Sequence, residues 1–143
     1  MNELNCFKMT FTSRSVNEGF ARSVAAAFSA QLDPTMDELG DIKTAVSEAV
    51  TNCIVHAYPD TYGEITLKAR ILEKRTIEIT VKDRGVGIAD IEKARQPMFT
   101  TGGDERSGMG FTIIESFMDS VRVRSAVGKG TTVIMRRSLR SRL

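Results

Sequence analysis

Glu48 and Asn52, in the stretch SEAVTNCIVHA, stand four residues apart. At helical spacing they share one face, one turn apart. A carboxylate there can accept a proton. An amide oxygen can serve a hard cation such as Mg²⁺, which takes a few protein oxygens beside phosphate and water. The same spacing also suits a solvated helix surface. A second candidate is Asp83-Arg84-Gly85-Val86-Gly87, where an alternating apolar run ends at a carboxylate and two glycines. This is either an ordinary turn or a ligand loop, in which glycine admits a bound molecule close to the backbone and Asp83 accepts from a donor on it. A third is Gly108-Met109-Gly110, ahead of an apolar-periodic segment. A helix N-terminus offers free N–H groups and a positive dipole end, which suits phosphate, though a plain Gly-rich helix start has the same pattern.

Positioning these groups falls to elements that the periodicity outlines. FKMTFTS alternates Phe7, Met9 and Phe11 with polar residues, as a half-buried strand does. Ser15 with Glu18, and Thr35 with Glu38, have capping-box spacing. The first opens a helix to about Leu32 with Phe20, Val24, Phe28 and Leu32 inward. The second opens a longer helix to about Ala57 with Leu39, Ile42, Val46, Ala49, Val50 and Cys53 inward. EITLKARIL and TIEITVK alternate around Glu73-Lys74-Arg75, which predicts an antiparallel hairpin. A long irregular segment follows, with one short helical piece, DIEKARQ; such segments in compact domains are functional or mobile. A third helix turns Phe111, Ile114, Phe117 and Met118 inward, and VRVRSA and TTVIMRR close the chain around Gly128-Lys129-Gly130. The order predicts an α+β sandwich, a mostly antiparallel mixed sheet with its helices on one face, in a single domain over residues 1–143.

Composition narrows the class. With 41% hydrophobic and 27% charged residues, the chain has the balance of a soluble globular protein. A net charge of +2 gives no argument for nucleic acid, and the basic end, Arg136 to Arg142, reads as a solvated tail. Cys6 and Cys53 lie too far apart in sequence for a metal spacing or a disulfide framework. No basic n-region opens the chain and no apolar run spans a bilayer, so the expectation is a cytoplasmic protein without membrane contact.

Competing phosphate motifs are absent. No Walker A run occurs: Gly128-Lys129-Gly130-Thr131-Thr132 has Gly after its Lys and sits between two strand patterns. Neither glycine pair extends to a Rossmann fingerprint, and the protein-kinase signatures are missing. The ordered set Glu-x-x-x-Asn, Asp-x-Gly-x-Gly, lid, Gly-x-Gly and Gly-Thr-Thr resembles the GHKL superfamily of ATPases and kinases, over residues 42 to 135. The resemblance implies the Bergerat sandwich and binding of ATP or ADP with Mg²⁺. It implies that Asp83 accepts from the adenine amino group, with Gly85 and Gly87 turning the chain beneath the nucleotide. Thr131 would support the adenine, and Asn52 would hold Mg²⁺ against the phosphates. Residues 98–110 would form a lid, with Thr100, Thr101, Arg106, Ser107, Gly108 and Gly110 at the phosphates.

A chain of this length has no room for the second domain of a DNA-coupled member. Its one histidine, His56, reads as a helix-end residue rather than a phosphoacceptor. LDPTMDELGDIKTAVSEAVTN, ARQPMFTT and ERSGMGFTIIESFMD are similar to the anti-sigma F family of spore-forming bacteria, as is FTSRSVNEGFARSVAAAF near the start. That likeness implies a homodimer that binds a sporulation sigma factor (sigma F) and keeps it from RNA polymerase. It also implies a serine kinase that phosphorylates an anti-anti-sigma factor from ATP, with Glu48 taking the serine proton. Arg22 matches a partner-contact arginine; a solvated helix charge is the alternative. The first helix and first strand are the expected dimer surface, because a leading strand can pair across a two-fold axis. A stress-response anti-sigma kinase and a non-catalytic sigma-binding module remain as alternatives. Cys53 stands where a small apolar residue would serve and is assigned no chemistry.

Overall fold

The computed structural model describes residues 1–88 and 110–140. Strand β1 (Glu3–Thr12) is followed by helix α1 (Asn17–Ser29), a 3₁₀ turn (Ala30–Leu32) and helix α2 (Met36–Asn52). A π-helical turn (Cys53–Ala57) extends α2. Strands β2 (Glu64–Leu72) and β3 (Thr76–Asp83) come next, then helix α3 (Gly110–Phe117) and strands β4 (Ser120–Ala126) and β5 (Gly130–Ser138). The sheet order is β1-β2-β3-β5-β4. The sheet is antiparallel at every described pairing. Helices α1 and α3 both pack against α2.

Alternation places the core. Ile65, Leu67, Ala69 and Ile71 of β2, and Ile77, Ile79 and Val81 of β3, are buried on the helix-covered side. They meet Ile42, Val46, Ala49 and Val50 of α2, with Phe111, Ile114 and Met118 from α3 and its end. Lys74 and Arg75 adopt positive φ to turn the β2–β3 hairpin. Residues 90–96, read as a short helix, lie outside the described residues.

Three sequence expectations need correction. The Ser15–Glu18 capping box does not form: α1 starts at Asn17 without a side-chain cap. Glu18 instead accepts from Ser47 Oγ of α2 at 2.7 Å and pairs with Arg22. A cross-helix bond has taken the carboxylate that the box required. Phe20 is 53% exposed rather than inward, because α1 turns Ala21, Ala25, Phe28 and Ser29 to the interior. Small residues at that contact let the two helices approach closely. Nor is Arg136 to Arg140 a solvated tail. Arg136 and Arg137 belong to β5, Arg137 donates to Asp41 of α2 and to the Phe117 carbonyl, and Leu139 is buried.

The Thr35 capping box does form. Thr35 Oγ1 accepts from the Glu38 N–H at 3.1 Å, and Glu38 Oε1 accepts from the Thr35 N–H at 2.9 Å. Glu38 Oε2 also accepts from the Arg140 N–H, so one carboxylate joins the start of α2 to the chain's end. Burial pushes the Glu38 carboxyl up, but the Thr35 and Arg140 amides outweigh it and hold it below the usual carboxylate range. A depressed folded-state pKa gives stability that is present above the unfolded value and lost as pH falls through the folded one. Glu38→Gln should therefore cost about 1 kcal/mol at neutral pH. In urea titrations the gap to the parent chain should close as pH drops below the carboxylate range.

Candidate functional site

The ends of α2 and β3 and the β4–β5 turn meet at one edge of the molecule. Asp83, the last residue of β3, is only 4% exposed. A buried carboxylate needs donors, and three converge on it. Its Oδ1 accepts from the Gly85 N–H at 2.9 Å and the Thr131 N–H at 3.1 Å. Its Oδ2 faces the Cys53 thiol at 3.4 Å. Burial, and then the Asp83 charge, push the Cys53 thiol well up, so it stays protonated and donates. The two backbone amides take up the lone pairs of Oδ1. Oδ2 keeps one for a further donor.

The glycines around Asp83 answer to the protein's own backbone. A Cβ on Gly85 would lie 2.2 Å from the Ala57 carbonyl oxygen, which also accepts from the Val86 N–H. Gly87, at φ +77°, would bring one to 2.1 Å from the Ala126 carbonyl oxygen, and Gly130, at φ +96°, to 2.2 Å from that of Asp83. The loop after β3 is thus clamped between the π-helical turn and the β4–β5 hairpin. Ser125 closes the clamp: its hydroxyl accepts from the Ile88 N–H at 2.7 Å and lies 2.7 Å from Thr131 Oγ1. Tyr58 supports the other side, its hydroxyl accepting from the Arg84 N–H and donating to the Glu64 carbonyl.

Glu48 and Asn52 occupy the last turns of α2, both half-buried. Asn52 Oδ1 and Nδ2 are buried and have no hydrogen-bond partner among the described residues. Such groups cost about 1–3 kcal/mol each when left unpaired, so native folds seldom retain them without a use. Beside it the helix widens into the π-helical turn, a form often found at functional sites. The amide oxygen fits a cation ligand such as Mg²⁺. A site of one protein oxygen plus phosphate and water needs no protein cage, and no cluster of three or more His, Cys, Asp or Glu suited to a metal occurs among the described residues. Arg22 lies apart on α1, 41% exposed at its side chain and 3.5 Å from Glu18.

The fold therefore brings together Asn52, Asp83, Gly85, Gly87 and Thr131, with Glu48 one turn back along α2. Gly110 is the first residue of α3. Thr100, Thr101, Arg106, Ser107 and Gly108, and most of the lid, lie outside the described residues. Cys53, Tyr58 and Ser125 join the site without having been singled out for it. Of these only Cys53 carried a signal, through its place next to Asn52. Tyr58 and Ser125 act through hydrogen bonds from backbone amides 26 and 37 positions away in sequence.

An antiparallel sheet under a layer of helices, with a buried aspartate at a strand end beside the end of a helix, is the build of a histidine kinase-like ATPase domain. The chain belongs to that family, whose model matches residues 10–137, and among its members to the anti-sigma F factors. It is 58% identical over 132 residues to the anti-sigma F factor of Caldanaerobacter subterraneus subsp. tengcongensis, covering 92% of each chain. It is 57% identical over 136 residues to that of Geobacillus kaustophilus, covering 94% of this chain and 93% of the other. Among solved structures, the RsbU and RsbW domains of a Mycobacterium tuberculosis protein superpose with a TM-score of 0.68 at 18% identity, over 95% of this chain and 33% of that one. A blue-light activated histidine kinase domain from Erythrobacter litoralis gives 0.59 at 22% identity, over 85% of this chain and 61% of that one. These two likenesses are of fold. Membership of an ATPase family implies ATP binding. No described helix is long and apolar enough to cross a membrane.

An amide retained for a ligand differs from one retained for stability. Asn52→Ala should leave the thermal midpoint without nucleotide unchanged or higher, since no protein bond is lost. A drop equivalent to more than about 1 kcal/mol would mark the amide as structural instead.

Proposed function

We propose that this chain is an anti-sigma factor and an ATP-dependent protein-serine kinase. It binds a sporulation sigma factor (sigma F), withholds it from RNA polymerase, and phosphorylates a serine of an anti-anti-sigma factor. The observation that carries this reading is the 58% identity, over nearly the whole of both chains, to a protein named for anti-sigma activity. The partnerless Asn52 amide and the free lone pair of Asp83 Oδ2 support the nucleotide half of it.

In this reading Asp83 Oδ2 accepts from the adenine amino group, and Thr131 Oγ1, held by Ser125, supports the base. Gly85 and Gly87 keep the loop beneath the nucleotide. Asn52 holds Mg²⁺ through its amide oxygen. Bound Mg²⁺ supplies charge neutralisation at the phosphates, the main requirement of phosphoryl transfer. Glu48 receives the proton of the partner's serine hydroxyl as its oxygen bonds to the γ-phosphorus and the bond to the β-phosphate oxygen breaks, releasing ADP. The lid residues Thr100, Thr101, Arg106, Ser107, Gly108 and Gly110 line the phosphates and exclude water.

Residues 1–143 work in this reading as one domain in the cytoplasm, and the domain as a homodimer through α1 and β1. Among the described residues the outer edge of β1 is unpaired in the sheet, and Leu4, Val16 and Phe20 expose apolar surface nearby. Arg22, held by Glu18, stands on the same helix for partner contact. Phe20→Glu should shift the chain toward monomer in sedimentation equilibrium; an unchanged dimer would place the interface elsewhere.

The test of the activity mixes the chain with ATP, Mg²⁺ and an anti-anti-sigma protein and seeks phosphoserine on the partner by mass spectrometry. Glu48→Gln should lower the transfer rate about 10²–10⁴-fold, the range for loss of a general base. Binding of ADP and of sigma factor should survive. Undiminished transfer would remove Glu48 from the role of base. ATP binding without any transfer would leave a sigma-binding module.

A further inference from the structure

The helices cover one face of the sheet; the other carries an unusual charge. Register aligns its side chains in rows, because residues directly opposite on neighbouring strands point to the same side. One row reads Lys8, Lys68, Thr80, Ile134, Arg122 from edge to edge. The next reads Thr10, Thr66, Lys82, Thr132, Arg124. The third reads Cys6, Arg70, Glu78, Arg136, Ser120. The three rows hold seven cations against one carboxylate, an excess of +6 on a chain whose net charge is +2. The rest of the molecule is therefore net negative, by a formal four charges.

Two features set this face apart from an ordinary solvated sheet. Lys8 and Lys68 stand directly opposite each other, an arrangement that destabilises a sheet. Among the described residues, Lys8, Lys68, Lys82, Arg122 and Arg124 form no ion pair. The face also shows how it receives a carboxylate. Glu78, 8% exposed, accepts from Arg70 Nε at 2.8 Å and from Arg136 Nε at 2.7 Å, one guanidinium on each side. Burial raises its carboxyl, yet the two arginines bring it below the usual range. Beside this trio lies a concavity of about 330 Å³, lined also by Ser120, Arg122 and Ile134, in which Arg122 has no counter-charge among the described residues.

We propose that this helix-free face docks an acidic polypeptide, a partner that lays several carboxylates against the unpaired cations as Glu78 lies between Arg70 and Arg136. The three rows contain no aromatic side chain on which a base could stack, which favours protein over a nucleic-acid strand. The unfavourable Lys8–Lys68 pair is then relieved on binding, and the cost it imposes on the free chain becomes affinity for the anionic partner.

The test is fluorescence anisotropy of a labelled poly-L-glutamate oligomer titrated with the full chain at about 0.15 M salt, where long-range attraction is screened within ~8 Å. A short DNA duplex is titrated in parallel. Reversal of the exposed edge residues, Arg122→Glu with Arg124→Glu, should weaken poly-glutamate binding at least about tenfold, a loss of roughly 1.4 kcal/mol. Lys43→Glu, on the exposed side of α2, should change it less than about twofold, as an exposed charge far from the contact does when screened. Lys8→Glu should weaken binding while raising the thermal midpoint, an opposite pair of effects that misfolding would not produce. The proposal falls if the parent chain does not bind poly-glutamate, if Lys43→Glu costs as much as the edge reversal, or if the duplex binds more tightly through the same residues.

Discussion

A single buried carboxylate ties the candidate site of this protein together. Asp83 is a carboxylate taken out of water and needs donors, and the chain supplies them from three separate elements: the loop after β3, the first residues of β5, and the widened end of α2. Every close approach in the neighbourhood follows from bringing those donors within reach. Gly85 lies on Ala57, Gly87 on Ala126, and Gly130 on Asp83 itself, each at a separation no Cβ would tolerate. The glycines are needed first for the fold of the site.

The same clamp explains why the asparagine beside Cys53 carries unused hydrogen-bonding capacity. Cys53 points into the core and meets Asp83, and the helix enters its π turn at that residue. Asn52, one position earlier, is left with both polar atoms buried and unpaired. In most folds that cost would be removed by substitution. Here it sits one helical turn from a half-buried glutamate, in a chain of an ATPase family. The sheet shows a comparable division. Its inner face follows ordinary burial, whereas its outer face concentrates cations well beyond the average charge of the chain.

Much of this was legible in the residues. Period-2 runs marked β1, β2 and β3, the runs around Gly128-Lys129-Gly130 marked β4 and β5, and the Thr35–Glu38 spacing marked the start of α2 and its cap. Asp83-x-Gly-x-Gly and Glu-x-x-x-Asn pointed to the carboxylate that the fold buries at the end of β3 and to the amide it leaves unpaired at the end of α2. What failed did so for tertiary reasons. Ser15 and Glu18 had the spacing of a cap, but Ser47 of α2 offered Glu18 a bond from another helix. Phe20 had the right period to be core, but Ala21 and Ala25 gave a closer helix contact and turned it outward. Arg136 and Arg137 looked like part of a solvated tail until Glu78 and Asp41 appeared as their partners.

Local pattern was enough for what depends on a few neighbouring residues: where strands and helices run, where the chain turns, and which side chains suit nucleotide chemistry. It also carried the resemblance from which family and activity were inferred. The Cys53 and Thr131 donors to Asp83, and the cationic rows across five strands, arise between residues tens of positions apart, and the empty hydrogen-bonding capacity of Asn52 depends on what packs around it. No sequence interval encodes them, because each depends on strand register and helix rotation. Those are settled only when the whole core packs at once.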